Sequence, residues 1–176
     1  KERALYYGSQ IAFVPQNPMT ALDPSRKIGV QMAEFLRLHR ELNKKEALCL
    51  CEQAMIQAGL ADTKRILNSR PYQLSGGMLQ RVLIALAIAG KARLVIADEP
   101  TTALDAIHRD RAVEQLLKLR EQGCAILIVT HDFDVARHMG GHVLIMKEGR
   151  MVERGSAKEV LQNPKAGYTR ELIEAI

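Results

Sequence analysis

Two adjacent carboxylates follow an apolar run in the second half of the chain. Leu94-Val-Ile-Ala leads directly into Asp98 and Glu99, the pattern of a buried strand that ends in two acidic residues. Ligands of open α/β sheets bind at the carboxyl ends of the strands. An Asp at that edge can hold Mg²⁺, commonly through water, and a neighbouring Glu can orient or deprotonate an attacking water. A solvated turn after a core strand would give the same pattern, so the pair alone does not distinguish a catalytic site from such a turn.

A second candidate site stands before a long apolar helical segment. Ser75 can cap that helix, and the glycines that follow, Gly76 and Gly77, would let a phosphate approach the N–H groups at its positive end. Ser-Gly-Gly by itself favours an ordinary helix N-cap after a loop over a phosphate site.

Two further side chains stand at the ends of predicted strands. Thr130-His131-Asp132 follows an apolar run, and the imidazole could contact a γ-phosphate or the attacking water, next to Glu99 if the two strands are neighbours. Gln16, in the loop after the first predicted strand, could reach Mg²⁺ or a lytic water with its amide. Taken singly, a His at a strand end is more often structural, and Gln16 is an ordinary loop residue.

The composition limits the class of protein that positions these groups. The 176 residues are 47% hydrophobic and 26% charged, which fits a folded globular chain. The net charge of +5 is mild, aromatic residues make up 4%, and Trp is absent, so a base-stacking nucleic-acid module is disfavoured and no nucleic-acid partner is expected. Three scattered cysteines without a CxxC favour a reduced compartment over a disulfide framework.

Predicted strands and helices alternate as in an α/β protein. Strands are predicted at 10–14, 93–97 and 124–130, a hairpin at 143–153, and helices at 28–59, 75–90, 106–122 and 133–139, with a further helix at the end of the sequence. Continuous apolar strands separated by helices predict a parallel sheet covered on both faces. The helical stretch between the first two strands predicts an inserted helical lobe.

In this order and spacing the four features resemble the nucleotide-binding domain of ATP-binding cassette (ABC) transporters, over essentially the whole chain. The matching motifs are the Q-loop at Gln16, the signature motif at Leu74–Gln80, the Walker B strand at Leu94–Asp98, the catalytic Glu99, the D-loop at Ala103–Asp105 and the switch His131. The resemblance implies ATP and Mg²⁺ as cofactors. It implies catalytic roles for Glu99 and His131, Mg²⁺ binding by Gln16 and Asp98, and cofactor binding by Gln16, Ser75, Gly76, Gly77, Asp98 and Asp105.

The fold implied by the resemblance is α/β. It is the mainly parallel sheet of a P-loop ATPase core, incomplete at the N-terminus, with an inserted α-helical subdomain. Residues 1–27 would belong to the core and carry the Q-loop, and residues 28–90 would form the helical subdomain that ends in the signature motif and its helix. Residues 91–176 would return to the core with Walker B, the D-loop, the switch histidine and the C-terminal helices.

Finer features are similar to the peptide/nickel importer branch of the family. They are the run Gln16–Pro24, Met78 and the tail Asn163–Thr169. The stretch Gly77–Arg81 is similar to nickel and metal-chelate members, because peptide members more often place Arg where Leu79 stands. The resemblance therefore implies an ATP-hydrolysing subunit that energises uptake of nickel, metal chelates or peptides at the cytoplasmic face of the inner membrane. Implied partners are a second ATPase subunit, identical or related, the membrane-spanning permease subunits and, through them, a substrate-binding protein.

One motif of the family does not occur in these 176 residues. No GxxxxGK[ST] stretch is present, and the Gly90-Lys91 pair has Ala85 where the first Gly belongs and Ala92 after it. Together with Lys1 in place of Met, this leads us to expect a fragment that alone binds ATP and Mg²⁺ very weakly and shows no hydrolysis above background. The alternatives left open are a soluble ABC-type ATPase acting on ribosome or DNA complexes and a non-catalytic fragment that only binds other subunits.

Overall fold

The computed structural model of the protein describes residues 10–101 and 106–175. These residues form two compact units, one ending at Val129 and the other beginning at Thr130. In chain order the elements are β1 (Ile11–Val14), α1 (Ile28–Arg40), α2 (Lys44–Gln57), α3 (Thr63–Asn68), α4 (Gly76–Gly90), β2 (Leu94–Asp98), α5 (Ala106–Glu121), β3 (Ala125–Val129), α6 (Phe133–Met139), β4 (His142–Lys147), β5 (Arg150–Ser156), α7 (Ala157–Gln162) and α8 (Gly167–Glu174), with 3-10 turns at Pro18–Ala21 and Pro71–Gln73.

The first unit is built on a three-stranded parallel sheet in the order β1–β2–β3. The register aligns Val14 with Ala97 and Asp98 with Val129. The predicted parallel sheet is therefore confirmed. Because the strands run in one direction, their carboxyl ends share one edge of the sheet, the edge at which the candidate site residues are predicted.

In the described residues only one face of this sheet is fully buried. Val14, Val95 and Ala97 are almost inaccessible, whereas Phe13 and Leu127 on the opposite face keep 54% and 50% of their surface exposed. The expectation of helices on both faces was wrong for this part of the chain. The reason is topological: the strands follow one another in sequential order, and right-handed crossovers that advance in one direction put every connecting helix on the same face.

Four helices, α1 to α4, lie between β1 and β2 and pack into a core of their own. Leu36 and Met55 are completely buried in it. Helix α1 passes so close to α3 that a Cβ on Gly29 would lie 2.9 Å from the carbonyl oxygen of Leu67, so a larger residue does not fit there. The predicted helical stretch is confirmed. Helix α3 was missed because six residues are too few to show a hydrophobic period.

The second unit combines the antiparallel β4–β5 hairpin with three short helices. The hairpin turns at Glu148 and Gly149, both left-handed with φ of +50° and +75°, as in type I′ turns. The predicted hairpin is confirmed, although its strands are longer than predicted. The Glu153 carboxylate on β5 accepts hydrogen bonds from the N–H groups of Lys165 and Ala166 at 2.8 and 3.0 Å, which ties the start of α8 to the hairpin.

The functional subdomains 1–27, 28–90 and 91–176 stay a prediction. Among the described helices, none has the length and apolar character needed to cross a bilayer. Cys49 is exposed and Cys51 is buried, as expected for residues two apart on a helix, which face different sides.

Candidate functional site

The carboxyl edge of the parallel sheet brings together three of the predicted site residues. Asp98 is the last residue of β2 and Glu99 follows it, and both are partly buried. Gln16 lies two residues beyond Val14, the end of β1, and is exposed. Because Val14 and Ala97 are register partners, the two loops leave the sheet from adjacent strand ends.

Glu99 has an unusual backbone conformation for a residue other than glycine. Its φ of +47° lies in the left-handed region, which costs an L-residue about 1–2 kcal/mol. The other such residues in the described ranges, Glu41, Lys91 and Glu148, end helices or form the hairpin turn. Glu99 instead follows a strand directly, and its N–H donates to the Val129 carbonyl at 2.8 Å. Strain that neither a helix end nor a hairpin requires is typical of functional positions.

Asp98 and Gln16 offer the donor set of a Mg²⁺ ion that binds together with a nucleotide. Mg²⁺ prefers oxygen ligands, keeps several waters and is held by one or two protein groups plus phosphates. A carboxylate and an amide oxygen that start from adjacent strand ends meet this requirement. A protein-only metal cage would need more ligands, and the described His, Cys, Asp and Glu side chains form no group of three or more.

The N-terminus of α4 is capped and open to solvent. Ser75 Oγ accepts a hydrogen bond from the Met78 N–H at 3.3 Å, so the predicted start of this helix is confirmed. The helix has 15 residues, long enough for a developed positive end. Gly76 is exposed, and a Cβ there would meet no atom within 4 Å. Glycine weakens a helix, and no neighbouring atom requires it here, so what it provides is an open approach to the first-turn N–H groups.

Arg81 lies just beyond the first turn of α4. It is not among the predicted site residues. Arg81 donates from Nε to the Gly77 carbonyl at 3.2 Å and from Nη1 to the Gly59 carbonyl at 3.0 Å. Gly59 is the left-handed residue, with φ of +76°, in the turn that ends α2. The Gln80-Arg81 pair after the glycines was the available signal in the sequence. The partner 22 residues earlier cannot be found from periodicity.

The remaining two predicted site residues, His131 and Asp105, do not belong to the described part of the first unit. His131 belongs to the second unit, where it is exposed and precedes α6. Thr130 Oγ1 accepts a hydrogen bond from the Asp132 N–H at 3.0 Å, and the Asp132 carboxylate caps α6, so the histidine lies in a tight turn. Its approach to Glu99 stays a prediction. Asp105 lies outside the described residues.

Comparison with known proteins gives consistent matches along the sequence. The family model described as ABC transporter matches residues 2–102. The ATP-binding protein CntD of the metal-staphylopine import system of Staphylococcus aureus is 41% identical, over 98% of this chain and 64% of its own length. The oligopeptide transport ATP-binding protein OppD of Lactococcus lactis is 40% identical, over 96% of this chain and 50% of its own length. The chain thus spans about half to two thirds of these curated relatives.

Solved ABC cassettes have the same fold. The dimeric cassette MJ0796, bound to ADP and Pi, matches with a TM-score of 0.78 at 30% identity, over 89% of this chain and 66% of that chain. The protein cbiO1 from Clostridium perfringens, part of the ABC transporter complex cbiONQ, matches with a TM-score of 0.70 at 27% identity, over 93% of this chain and 68% of that chain. These likenesses confirm the predicted α/β core of a P-loop ATPase.

Proposed function

The chain belongs to the ABC transporter family, and from that membership we propose that it acts as an ATP-binding and ATP-hydrolysing subunit of an importer in the peptide and nickel branch. The observation that carries the proposal is the pair Asp98 and Glu99 at the carboxyl edge of the sheet. The left-handed backbone of Glu99, unexplained by any helix end or hairpin turn, adds to it. The names of the relatives, both ATP-binding proteins of import or transport systems, agree with this role.

In the proposed mechanism the sheet edge positions the groups that act on water and metal. Asp98 and Gln16 would hold Mg²⁺, which when bound neutralises charge on the phosphate oxygens. Glu99 orients the attacking water and accepts its proton, and His131 hydrogen-bonds the γ-phosphate or the same water. Positioned general-base catalysis of this kind contributes about 10²–10⁴-fold to the rate. The hydrogen bond from Glu99 to Val129 supports this role because it fixes the backbone from which the carboxylate extends.

The proposal also includes a nucleotide contact made across a dimer. Ser75, Gly76 and Gly77 at the N-terminus of α4 would bind the γ-phosphate of ATP held by the second subunit, and Asp105 would contribute to the same nucleotide interface. The open approach at Gly76 supports this contact, since backbone N–H groups at a helix N-terminus bind phosphate. The dimeric state of MJ0796 supports the assembly. The second subunit is either a copy of this chain or a related one.

The proposed cargo is nickel, a metal chelate or a peptide. The system of CntD imports metal-staphylopine and that of OppD transports oligopeptides, and the two relatives are almost equally similar to this chain. Leu79 favours the metal-chelate members, because peptide members more often carry Arg at this position. The subunit would lie at the cytoplasmic face of the membrane, bound to membrane-spanning permease subunits that receive cargo from a substrate-binding protein.

ATP hydrolysis by the assembled transporter tests the role of Glu99. Glu99→Gln removes the basic carboxylate and keeps the size of the side chain, so hydrolysis should fall about 10²-fold or more while ATP binding is preserved. Glu148→Gln is the matched control, because it makes the same change in the same backbone region and should leave hydrolysis unchanged. Near-normal hydrolysis by the Glu99 variant would overturn the assignment.

A further inference from the structure

Arg81 is a partly buried cation without an ion-pair partner among the described residues. None of the ion pairs formed by the described side chains includes it, and its hydrogen bonds go to carbonyl oxygens. Burial, followed by the positive charge of Arg111 on α5, lowers the pKa of Arg81. A cation close to a helix N-terminus is also unfavourable in the field of the helix dipole. Stability alone would favour a neutral residue at this position.

The directions of the two hydrogen bonds indicate what the guanidinium does. Helical side chains lean toward the N-terminus, so Nε reaches the Gly77 carbonyl one turn back and Nη1 remains for Gly59. Gly76 and Gly77 are poor helix formers, so the first turn of α4 needs a tie to another element. The end of α2 can provide that tie, because Gly59 lies in a closed turn in which the Leu60 N–H bonds to the Met55 carbonyl at 2.9 Å.

We propose that Arg81 is a positioning residue, which bridges Gly77 and Gly59 and thereby holds the turn Ser75–Gly77 at a fixed place on the end of α2. The proposal rests on the phosphate-binding role proposed above for that turn. A guanidinium suits the task because its planar fork presents several donors in fixed directions, whereas a lysine ammonium does not. Its charge also makes the turn more attractive to an anion.

Amide hydrogen exchange of the 176-residue chain tests the bridge directly. Arg81→Gln and Arg81→Lys both remove the fork, and the matched control is Arg65→Gln, since Arg65 is an exposed arginine on α3 paired with Asp62. In both Arg81 variants the hydrogen-bonded amides of residues 59–60 and 78–79 should exchange about tenfold faster, the lower end of what losing a hydrogen bond to a charged group produces. The strand β2 and the C-terminal half of α4 should keep their rates. Arg65→Gln should leave the exchange rates of both turns unchanged.

Two results of the exchange experiment would overturn the proposal. Unchanged exchange in both turns would mean that the two hydrogen bonds do not restrain them. An equal acceleration throughout β2 and α4 would mean that the substitution lowers global stability, and that Arg81 positions nothing.

The KM of the assembled transporter for ATP separates this proposal from the proposed function. Arg81→Gln should raise the KM about tenfold and change kcat less than about threefold, because a loosened turn can still close at saturating ATP. Arg65→Gln should change neither value. Local loosening with an unchanged KM would leave the bridge standing and would refute the nucleotide contact proposed for Ser75–Gly77, whereas an unchanged exchange would refute the bridge and leave that contact untouched.

Discussion

The left-handed backbone of Glu99 predicts a stability change of unusual sign. At most positions a Gly variant is less stable than an Ala variant, because Gly loses more conformational entropy on folding. At φ of +47° a Cβ is strained, and Gly avoids that strain. We therefore expect Glu99→Gly to be more stable than Glu99→Ala. Both variants lack the carboxylate, so the loss of the side-chain contacts of Glu99 cancels when their stabilities are compared.

The expected difference follows from two opposing terms. The strain is about 1–2 kcal/mol, and the greater entropy of Gly in the unfolded chain offsets about 0.5–1 kcal/mol of it. The Gly variant at position 99 should thus be more stable than the Ala variant by about 0.5–1 kcal/mol. At Glu114, an exposed position on α5, Gly should be less stable than Ala by about 1 kcal/mol. The two pairs should differ in sign and by about 1.5–2 kcal/mol.

Urea-induced unfolding of these four variants measures the difference. A third pair at Glu148, which is left-handed in the hairpin turn, is the positive control and should also favour Gly. If Gly is favoured at position 148 and not at position 99, the Glu99 backbone carries no strain, and its conformation then gives no support to a functional role. In the assembled transporter, both Glu99 variants should lack ATP hydrolysis.

Three other features of the described residues give predictions. Gly76→Ala should stabilise the isolated chain by about 0.5–1 kcal/mol, since a Cβ there meets nothing within 4 Å, and should lower ATP hydrolysis by the assembled transporter; a lower urea midpoint would contradict this. The nearby Thr169 hydroxyl and the N–H groups of Lys165 and Ala166 that bond to Glu153 lower its pKa, so its stabilisation of α8 is complete above the ordinary value of 4.5 and is lost as the pH falls through the lower folded pKa. Acid unfolding of Glu153→Gln should then depend less on pH in this range, and an unchanged dependence would contradict the assignment. Cys49 is exposed, whereas burial raises the pKa of Cys51 to about 12, so a thiol reagent at neutral pH should modify Cys49 at once and Cys51 only after unfolding.

Much of the fold could be predicted because its signals are local. The apolar runs at 94–97 and 125–129 indicate buried strands, and Ser75 before a helical period indicates where α4 begins. The exposed face that the sheet has in the described part of the chain could not be predicted from the same runs. An apolar run shows that a strand is apolar on both sides, but which side a crossover covers depends on the order of the strands in space.

The candidate site could be predicted by residue type and element, but not by conformation. Asp98, Glu99 and Gln16 are predicted site residues because each follows a predicted strand. The register shows that the two strands, β1 and β2, are neighbours and end side by side. The left-handed φ of Glu99 could not be predicted, because Glu rarely adopts it. The bridge from Arg81 to Gly59 depends on how α2 packs against α4, which no spacing in the sequence encodes.

The hydrogen bond from Glu99 to Val129 makes the candidate general base part of the sheet. Its N–H extends the β2–β3 ladder by one residue beyond Asp98. The backbone position of Glu99 therefore depends on the register between β2 and β3. Register does not change gradually, because a slip of one residue turns every side chain of a strand to the opposite face. A misaligned β3 would not offer the Val129 carbonyl to the Glu99 N–H, so such a molecule would lack the hydrogen bond that fixes the Glu99 backbone. The specific activity of a preparation would then depend on the fraction of its molecules that had folded in register.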